Sequence, residues 1–296
     1  MPPPIAVVTG ASGGLGSQLC GQLAAHGISL VLLDRNDDKA RAFARTLEAT
    51  RSGSVAGTFA VDLSSHADIR RCSGQIVAAF PAVQYLFNNA GLLPERLEFS
   101  GHGNELDFEV NALAPLQLVD GLRPALVNAG GATVVNTSAG LSLQATSLDW
   151  NDLVRPQTFT KLFGPYVKSK AALNVITTAL ARELAADRII VRAVDPGPNR
   201  TRLTKGAGTP LWMRLFFAFL PSPDKGARKL YDGALSSKWE ETTGAFISGG
   251  RFARSRRRSP TRSFRPSSCA AAASARRSSE PAQGAHPAAR TLRGWR

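Results

Sequence analysis

The amino-acid sequence predicts an α/β fold in which a doubly wound, parallel sheet of seven strands carries helices on both of its faces. Short apolar runs alternate with longer amphipathic stretches as far as residue 250. This alternation is typical of parallel strands joined by helical crossovers. A composition of 43% hydrophobic and 20% charged residues also suits a globular protein with a sizeable core.

The elements follow one another without a break. Short apolar runs predict strands at 5–8, 29–33, 57–61, 83–87, 133–136, 189–194 and 245–247. Apolar residues at helical spacing predict helices at 15–26, 37–51, 67–80, 105–127, 166–186 and 224–236. Since no linker or internal repeat interrupts the series, residues 1–250 are predicted to form one domain.

Residues 251–296 have a different composition, in which Ser, Arg, Ala and Pro dominate. The segment holds twelve Arg, no Lys and one Glu. It cannot bury enough apolar surface to offset its ordering entropy, so we expect a disordered tail; a basic interaction arm is the alternative. Because the tail supplies +11 of the formal net charge of +14, the remaining chain gives no indication of nucleic-acid binding.

Other features narrow the class of protein further. No run approaches the roughly 18 apolar residues of a membrane span, and the N-terminus lacks the pattern of a signal peptide. The three cysteines and four histidines are scattered, without the spacing of a metal or redox site. We therefore expect a cytoplasmic protein without a bound metal.

A glycine-rich turn, TGASGGLG at 9–16, separates the first predicted strand from the first helix. Glycines here permit a tight turn, close approach of the backbone to a pyrophosphate, and contact between helix and strand. The following helix would offer free N–H groups to the anion. An ordinary tight turn is the alternative. The predicted dinucleotide-binding residues are Gly10, Ser12, Gly13, Gly14, Leu15 and Gly16.

Asp34 ends the second predicted strand, 18 residues beyond Gly16. A carboxylate at this place would accept hydrogen bonds from the adenosine ribose and repel a 2′-phosphate, which favours NAD. The adjacent Arg35 could instead pair with that phosphate, so NADP stays open. Alternatively, Asp34 only caps the turn that follows it.

Tyr166 and Lys170 are four residues apart in YVKSK and share one face of a predicted helix. A tyrosine normally titrates at about pH 10, and a nearby ammonium favours its phenolate form. The pair could therefore exchange protons with a substrate; an exposed helical pair is the alternative.

Because this pair occurs together with other motifs, the chain resembles the short-chain dehydrogenases/reductases over roughly residues 5–250. The motifs are TGASGGLG at 9–16, Asp62 in VDLSS, NNAG at 88–91, Asn111 in VNALAP, VVNTSAG at 134–140, YVKSK at 166–170 and PGPNRT at 196–201. The resemblance implies a Rossmann-like fold, NAD or NADP as cofactor, and interconversion of an alcohol and a carbonyl.

The resemblance also implies roles for individual residues. Tyr166 would be the general acid/base, Lys170 would bind the nicotinamide ribose, and Asn111 would hold a water in a proton relay. Further cofactor contacts would come from Asp62 and Leu63 at the adenine, Asn89, Ala90 and Gly91 along the cofactor, and Pro196, Gly197 and Thr201 at the nicotinamide end.

One position departs from the family pattern. The family usually carries two serines at the end of the fifth strand, and the second orients the substrate. Here the pair reads Ser138-Ala139. In strict register the hydroxyl is missing, and Ser138, or Ser142 through a local shift, would have to supply it.

Two further segments resemble the retinol-dehydrogenase-like subgroup. One is the long insertion of 26 residues between Ala139 and Tyr166. The other is the apolar stretch LWMRLFFAFL at 211–220, where the family places its mobile substrate lid. Such a lid suits a lipophilic alcohol or carbonyl, and it could also rest on a membrane surface. A helix packed on the core or on another subunit is the alternative.

Two functions remain open from the sequence. The first is an active oxidoreductase. The second is a cofactor-binding protein with impaired catalysis that acts as a sensor or scaffold, and Ala139 is its main support. The resemblance implies a homodimer or homotetramer built on the helix that bears Tyr166.

Overall fold

The computed structural model describes residues 2–145, 147–215 and 217–252. They form an α/β fold around one sheet. Its strands are β1 Ile5–Thr9, β2 Ser29–Asp34, β3 Val55–Ala60, β4 Tyr85–Asn88, β5 Ala132–Thr137, β6 Ile189–Val194, β7 Ala245–Ser248 and β8 Arg251–Phe252. The order in the sheet is β3-β2-β1-β4-β5-β6-β7-β8.

Ten α-helices are present in the described part of the chain, together with a π-helix and three short 3-10 turns. The α-helices are α1 Gly14–Ala25, α2 Asp37–Thr50, α3 His66–Ala79, α4 Leu106–Phe108, α5 Ala114–Asn128, α6 Trp150–Val154, α7 Pro165–Glu183, α8 Arg202–Lys205, α9 Leu211–Leu215 and α10 Pro223–Leu235. The π-helix is Glu109–Leu113, and the 3-10 turns are Gly140–Gln144, Phe217–Phe219 and Ser237–Trp239.

Strands β1 to β7 pair in parallel, which confirms the predicted doubly wound sheet. The chain moves outward in one direction from β1 to β3 and in the other from β4 onward, so the switch point lies between β1 and β4. In open sheets of this kind, ligands bind beyond the carboxyl ends of the strands at the switch point. The fold thus places a ligand crevice beside the glycine-rich turn.

The sheet has eight strands rather than the predicted seven. Gly249 and Gly250 adopt positive φ angles of 59° and 70°, a conformation that suits a two-residue hairpin turn. Arg251 of β8 therefore pairs antiparallel with Ser248 of β7. The prediction of a disordered tail otherwise falls on residues 253–296, which lie outside the described residues.

The predicted helix at 105–127 is divided into α4, the π-helix and α5. The N–H of Ala114 donates to the carbonyl of Glu109, five residues earlier, as in a π-helix. Pro115 has no N–H to close a regular helical hydrogen bond to the carbonyl of Asn111. The proline therefore allows the helix to widen at the residue for which the resemblance implies a relay role.

Helices cover both faces of the sheet, where the central strands are largely buried. On one side α1 packs against α10, and on the other α3 packs against α5. A Cβ on Gly121 of α5 would lie 2.7 Å from the Cβ of Ser73, so the glycine permits the close approach of α3 and α5. No helix in the described part of the chain is both long and apolar enough to cross a lipid bilayer.

Candidate active site

The glycine-rich turn is packed against the end of β4. Gly10 has a φ of +63°, and a Cβ on it would lie 3.1 Å from the Cα of Ala90. A Cβ on Gly16 would lie 2.1 Å from the carbonyl oxygen of Gly10. The amide Nδ2 of Asn89 donates to the carbonyl of Thr9 at 2.9 Å. Side chains at Gly10 and Gly16 would therefore displace the backbone of the turn.

The N-terminus of α1 is open to an anion. The helix begins at Gly14, and no side chain caps its first turn. Thr201, at the start of α8, approaches from the other side, since its methyl lies 3.6 Å from the position of a Cβ on Gly14. N–H groups at a helix N-terminus, together with the helix dipole, stabilise phosphate groups. A cradle without side chains at this place fits the pyrophosphate of NAD or NADP.

Asp34 braces the glycine-rich turn. Its Oδ2 accepts a hydrogen bond of 2.8 Å from the backbone N–H of Ser12, and burial raises the pKa of its carboxyl group. Arg35 is exposed. The cap of α2 is Asn36 instead of Asp34, because the Asn36 side chain accepts from the N–H of Lys39 at 2.8 Å. The capping alternative for Asp34 is thus wrong.

Two other predicted cofactor segments lie at strand ends as ordered turns. After β3, the Asp62 carboxylate accepts from the N–H and hydroxyl of Ser64, at 2.8 and 2.7 Å. Leu63 is half-buried in the same turn. After β6, Gly197 has a φ of +76°, and the Nζ of Lys229 donates to the carbonyl of Pro196 at 3.1 Å.

Tyr166 and Lys170 lie in the first turns of α7, at the carboxyl ends of the central strands. The Lys170 ammonium donates to the carbonyl of Thr137, the last residue of β5, at 2.8 Å. It lies 6.0 Å from the centre of the Tyr166 ring and 3.5 Å from the position of a Cβ on Gly91. Since Gly91 follows Ala90, which touches Gly10, the loop after β4 connects the surroundings of Lys170 with the glycine-rich turn.

The ionisation of this pair differs from the sequence expectation. Burial raises the pKa of Tyr166, and the carboxylates of Asp107 and Asp195 raise it further. Burial also lowers the pKa of Lys170 to about 8, although Asp107 acts in the opposite direction. In the protein alone, the ammonium therefore does not bring the pKa of Tyr166 below its usual value.

An apolar cluster surrounds Tyr166. Leu162 and Val167 pack directly with the tyrosine, and Leu162 has a φ of +64°, which is strained for a leucine. Side chains from two neighbouring loops complete the cluster: Leu93, Ala139, Leu141 and Ala145. The insertion before α7 therefore supplies part of the apolar wall of the crevice.

Asn111 is fully buried in the π-helix, and its amide is held from several sides. The Oδ1 accepts from the N–H of Leu92 at 2.9 Å, while Nδ2 donates to the carbonyl of Leu92 at 3.1 Å. The hydroxyl of Ser169 lies 3.2 Å from Nδ2. This amide fixes the loop after β4 close to α7.

Two candidate hydroxyls, those of Ser138 and Ser142, lie in the segment that follows β5. Ala139 has extended backbone and packs against the Tyr166 cluster. Adjacent side chains alternate in extended chain, so Ser138 points away from that cluster. Its buried hydroxyl has no hydrogen-bond partner among the described residues. Ser142 accepts from the Nδ2 of Asn174 at 2.9 Å. The assignment of Ser138 as a catalytic residue stays a prediction.

The insertion before α7 is anchored as well as apolar. Within it, α6 is tied to α7 by an ion pair between Asp152 and Lys168. The Trp150 ring meets the ring of Phe108 edge to face, with 5.6 Å between their centres. These contacts fix the wall that approaches Tyr166.

The segment at 211–220 is a prominent apolar surface. Leu211 is 72% exposed, Leu215 is 73% exposed and Phe219 is 83% exposed. These three side chains are therefore not packed on the core. The segment follows α8, whose first residue is capped by Thr201 next to Gly14.

Several residues around Tyr166 and Lys170 were not predicted from the sequence. Asp107 and Glu105 are buried acids on the side of Asn111, and Asp195 lies near Tyr166 at the end of β6. The sequence could have indicated Asp107, because it precedes Asn111 by four residues and residues i and i+4 share a helical face. Nothing in the local sequence signals the strained Leu162.

Known proteins are similar to this chain in sequence and in fold. The family model for short chain dehydrogenases matches residues 4–150. A short-chain dehydrogenase/reductase of Armillaria gallica is 30% identical over 233 residues, covering 75% of this chain and 74% of that protein. Retinol dehydrogenase 11 of Mus musculus is 28% identical over 249 residues, covering 84% and 78%.

Solved structures show the same fold. A putative short chain dehydrogenase from Escherichia coli CFT073, complexed with NADPH, superposes with a TM-score of 0.66 at 24% identity. The match covers 82% of this chain and 95% of that one. With its glycine-rich turn, parallel sheet and Tyr-Lys pair, the chain belongs to the short-chain dehydrogenases/reductases, NAD(P)-dependent oxidoreductases that act on CH–OH groups.

Proposed function

We propose that the protein interconverts a lipophilic alcohol and its carbonyl, with Tyr166 as the general acid/base. The observation that carries this proposal is the position of Tyr166, which lies in an apolar cluster beside Lys170. An apolar pocket with a few convergent polar groups is typical of a small-molecule site. That the mouse relative is a retinol dehydrogenase agrees with a lipophilic substrate.

The residues divide the work of the reaction. The nicotinamide, when bound, supplies or accepts the hydride. Tyr166 would donate a proton to the carbonyl oxygen during reduction and accept one from the alcohol during oxidation. Lys170 would hold the nicotinamide ribose and favour the phenolate. Asn111 would hold the proton relay in place, and the apolar cluster would exclude water.

The cofactor would lie across the crevice from the adenine turn to α8. We propose that the pyrophosphate lies on Gly10, Ser12, Gly13, Gly14, Leu15 and Gly16. Asp34 and Arg35 would flank the adenosine ribose, and the carboxylate favours NAD. The remaining contacts would come from Asp62, Leu63, Asn89, Ala90, Gly91, Pro196, Gly197 and Thr201.

A substrate series tests the proposal. Oxidation and reduction are followed by NAD(P)H absorbance, with primary alcohols and aldehydes of increasing chain length and with small polar ketones. We expect kcat/KM to rise with chain length, by about fourfold for each methylene buried, since a buried CH₂ stabilises by about 0.8 kcal/mol. Turnover confined to small polar substrates would contradict an apolar site.

A second candidate function is a cofactor-binding protein with impaired catalysis. The observation that favours it is Ala139, which packs against the cluster that contains Tyr166 and carries no hydroxyl. Tight binding of NADH or NADPH without turnover across the whole substrate series would support this candidate over the first.

The exposed apolar segment is proposed to rest on an anionic membrane surface. Arg200, Lys205 and Arg214, which precede or lie within the segment in sequence, are exposed, and the sequence from 196 to 223 contains no acidic residue. Apolar side chains enter the headgroup region, while basic ones attract anionic lipids.

Vesicle sedimentation tests this contact. We expect the protein to bind phosphatidylserine-containing vesicles and to bind pure phosphatidylcholine vesicles more weakly. Changing both Leu211 and Leu215 to Ser should reduce the bound fraction about tenfold or more, because two leucine side chains that would enter the membrane are lost. Matched changes of Val127 and Leu143, which are exposed elsewhere, should have little effect. Equal binding by both double variants would refute the assignment.

A homodimer or homotetramer built on α7 stays a prediction.

A further inference from the structure

A buried acid, Asp107, lies directly behind the catalytic pair. Its side chain is fully buried in α4, and its Oδ1 accepts from the Nδ2 of Asn111 at 3.1 Å. The other oxygen, Oδ2, is buried without a hydrogen-bond partner among the described residues. Burial of a carboxylate with an open acceptor is costly. Packing alone does not account for an acid at this place.

The charged groups that face Asp107 come from two elements. Next to it in the chain, the buried carboxylate of Glu105 accepts from the N–H groups of Asp107 and Phe108, at 3.0 and 2.8 Å. From α7, Lys170 and the phenol of Tyr166 interact electrostatically with it. Burial, with the help of Glu105, raises the pKa of Asp107 to about 8, while Lys170 acts to lower it. Burial likewise raises the pKa of Glu105 to about 7.

Other charged side chains on the same elements are engaged elsewhere. In the π-helix, Glu109 pairs with His66 of α3 at 2.8 Å. On α7, Lys168 pairs with Asp152 of α6. Among the described residues, the groups that interact electrostatically with Asp107 are therefore the Glu105 carboxylate, the Lys170 ammonium and the Tyr166 phenol.

We propose that Asp107 is a positioning residue, which holds the amide of Asn111 and, once ionised, opposes formation of the Tyr166 phenolate. The proposal rests on the proposed function, because it assigns a control over the same proton exchange. A negative charge near a phenol disfavours the phenolate, and near an ammonium it favours the charged form. Ionisation of Asp107 thus keeps both the Tyr166 phenol and the Lys170 ammonium protonated to higher pH.

The variant Asp107→Asn tests the effect on catalysis. The amide keeps the shape of the side chain and an acceptor for Asn111, but it removes the charge. We expect the limb of the kcat/KM profile that lies above about pH 8, where Asp107 is ionised in the wild type, to move to lower pH by about one unit, a typical effect of one nearby charge. An unchanged profile, or one moved to higher pH, would overturn the proposal.

Asp120→Asn is the matched control. Asp120 is a partly buried acid on α5, and burial and Glu183 raise its pKa to about 6. Its charged neighbours are Glu183 and Arg123, neither of which belongs to the catalytic pair. Its variant should leave the pH profile in place; a shift equal to that of Asp107→Asn would show a general effect of lost charge and would overturn the assignment.

Urea unfolding provides a readout that needs no substrate. The pKa of Asp107 is raised in the folded protein from 3.8 to about 8, so the folded state keeps a proton that the unfolded chain has released. The contribution of this group to stability is complete at low pH and is lost as the pH rises towards 8. We expect the unfolding midpoint to fall less between about pH 5 and about pH 8 in Asp107→Asn than in the wild type.

The two measurements separate the possible failures. If no alcohol or carbonyl is turned over, the proposed function fails, but the unfolding experiment still tests the buried acid. If the variant loses as much stability across this pH range as the wild type, Asp107 is already ionised at neutral pH, and its charge then has to act on the whole pH profile; an unchanged profile of the variant overturns the inference.

Discussion

Replacing Tyr166 with Phe is expected to reduce kcat by about 10²- to 10⁴-fold, the usual contribution of a general acid/base. The ring would keep its packing with Leu162 and Val167, so the fold and the crevice should persist. Only the ionisable hydroxyl is lost. The Kd for NADH or NADPH, measured by fluorescence titration, should therefore change little.

Tyr231→Phe is the matched control for this change. Tyr231 is also nearly buried, but it packs in the core against His26, with 4.8 Å between ring centres. Its variant should retain wild-type kcat. If Tyr166→Phe kept most of its activity, or lost cofactor binding as strongly as turnover, the assigned role of Tyr166 would be wrong.

Restoring a hydroxyl at position 139 is expected to raise turnover. In Ala139→Ser the new Oγ would lie on the side that faces the Tyr166 cluster, because the Ala139 methyl already packs there. A hydrogen-bond donor that meets the developing charge on a substrate oxygen accelerates such reactions by about 10²-fold where it is well placed, so we expect a kcat increase of about tenfold or more.

Ala145→Ser provides the comparison, since Ala145 packs against the same cluster but lies beyond the 3-10 turn. A rise at 139 without a rise at 145 would identify the missing hydroxyl as the limit on wild-type activity. No gain in Ala139→Ser would mean that another group already orients the substrate. If the wild type binds NAD(P)H without turnover and only Ala139→Ser is active, the impaired-catalysis function is favoured.

Much of the fold could be predicted because its signals are local. Seven apolar runs and the helices between them define a parallel sheet, and the glycine-rich turn marks its switch point. The eighth strand was missed because β8 has only two residues, Arg251 and Phe252. The dipeptide Gly249-Gly250 was its only signal, at the place where the composition already changes to that of the tail.

The break in the helix at 105–127 depended on a single residue. Apolar periodicity continues through the segment, so pattern alone predicts one helix. Pro115 removes one backbone donor, and the chain responds with a π-helix that carries Asn111. Prolines in the first turn of a helix are common, which is why this one did not signal a break.

The site was predictable where motifs are contiguous and unpredictable where side chains meet across the fold. Tyr166 and Lys170 are neighbours in sequence, and their partnership follows from helical spacing. By contrast, the burial of Asp107 and the strain at Leu162 depend on tertiary packing. The contact of Ala139 with the Tyr166 cluster likewise depends on tertiary packing.

A crystal structure with NAD(P)H and a long-chain carbonyl bound tests the account most directly. We expect the pyrophosphate at the N-terminus of α1, the nicotinamide next to Lys170, and the Tyr166 hydroxyl about 3 Å from the carbonyl oxygen of the substrate. A nicotinamide bound away from α7, with the phenol turned out of the crevice, would contradict it.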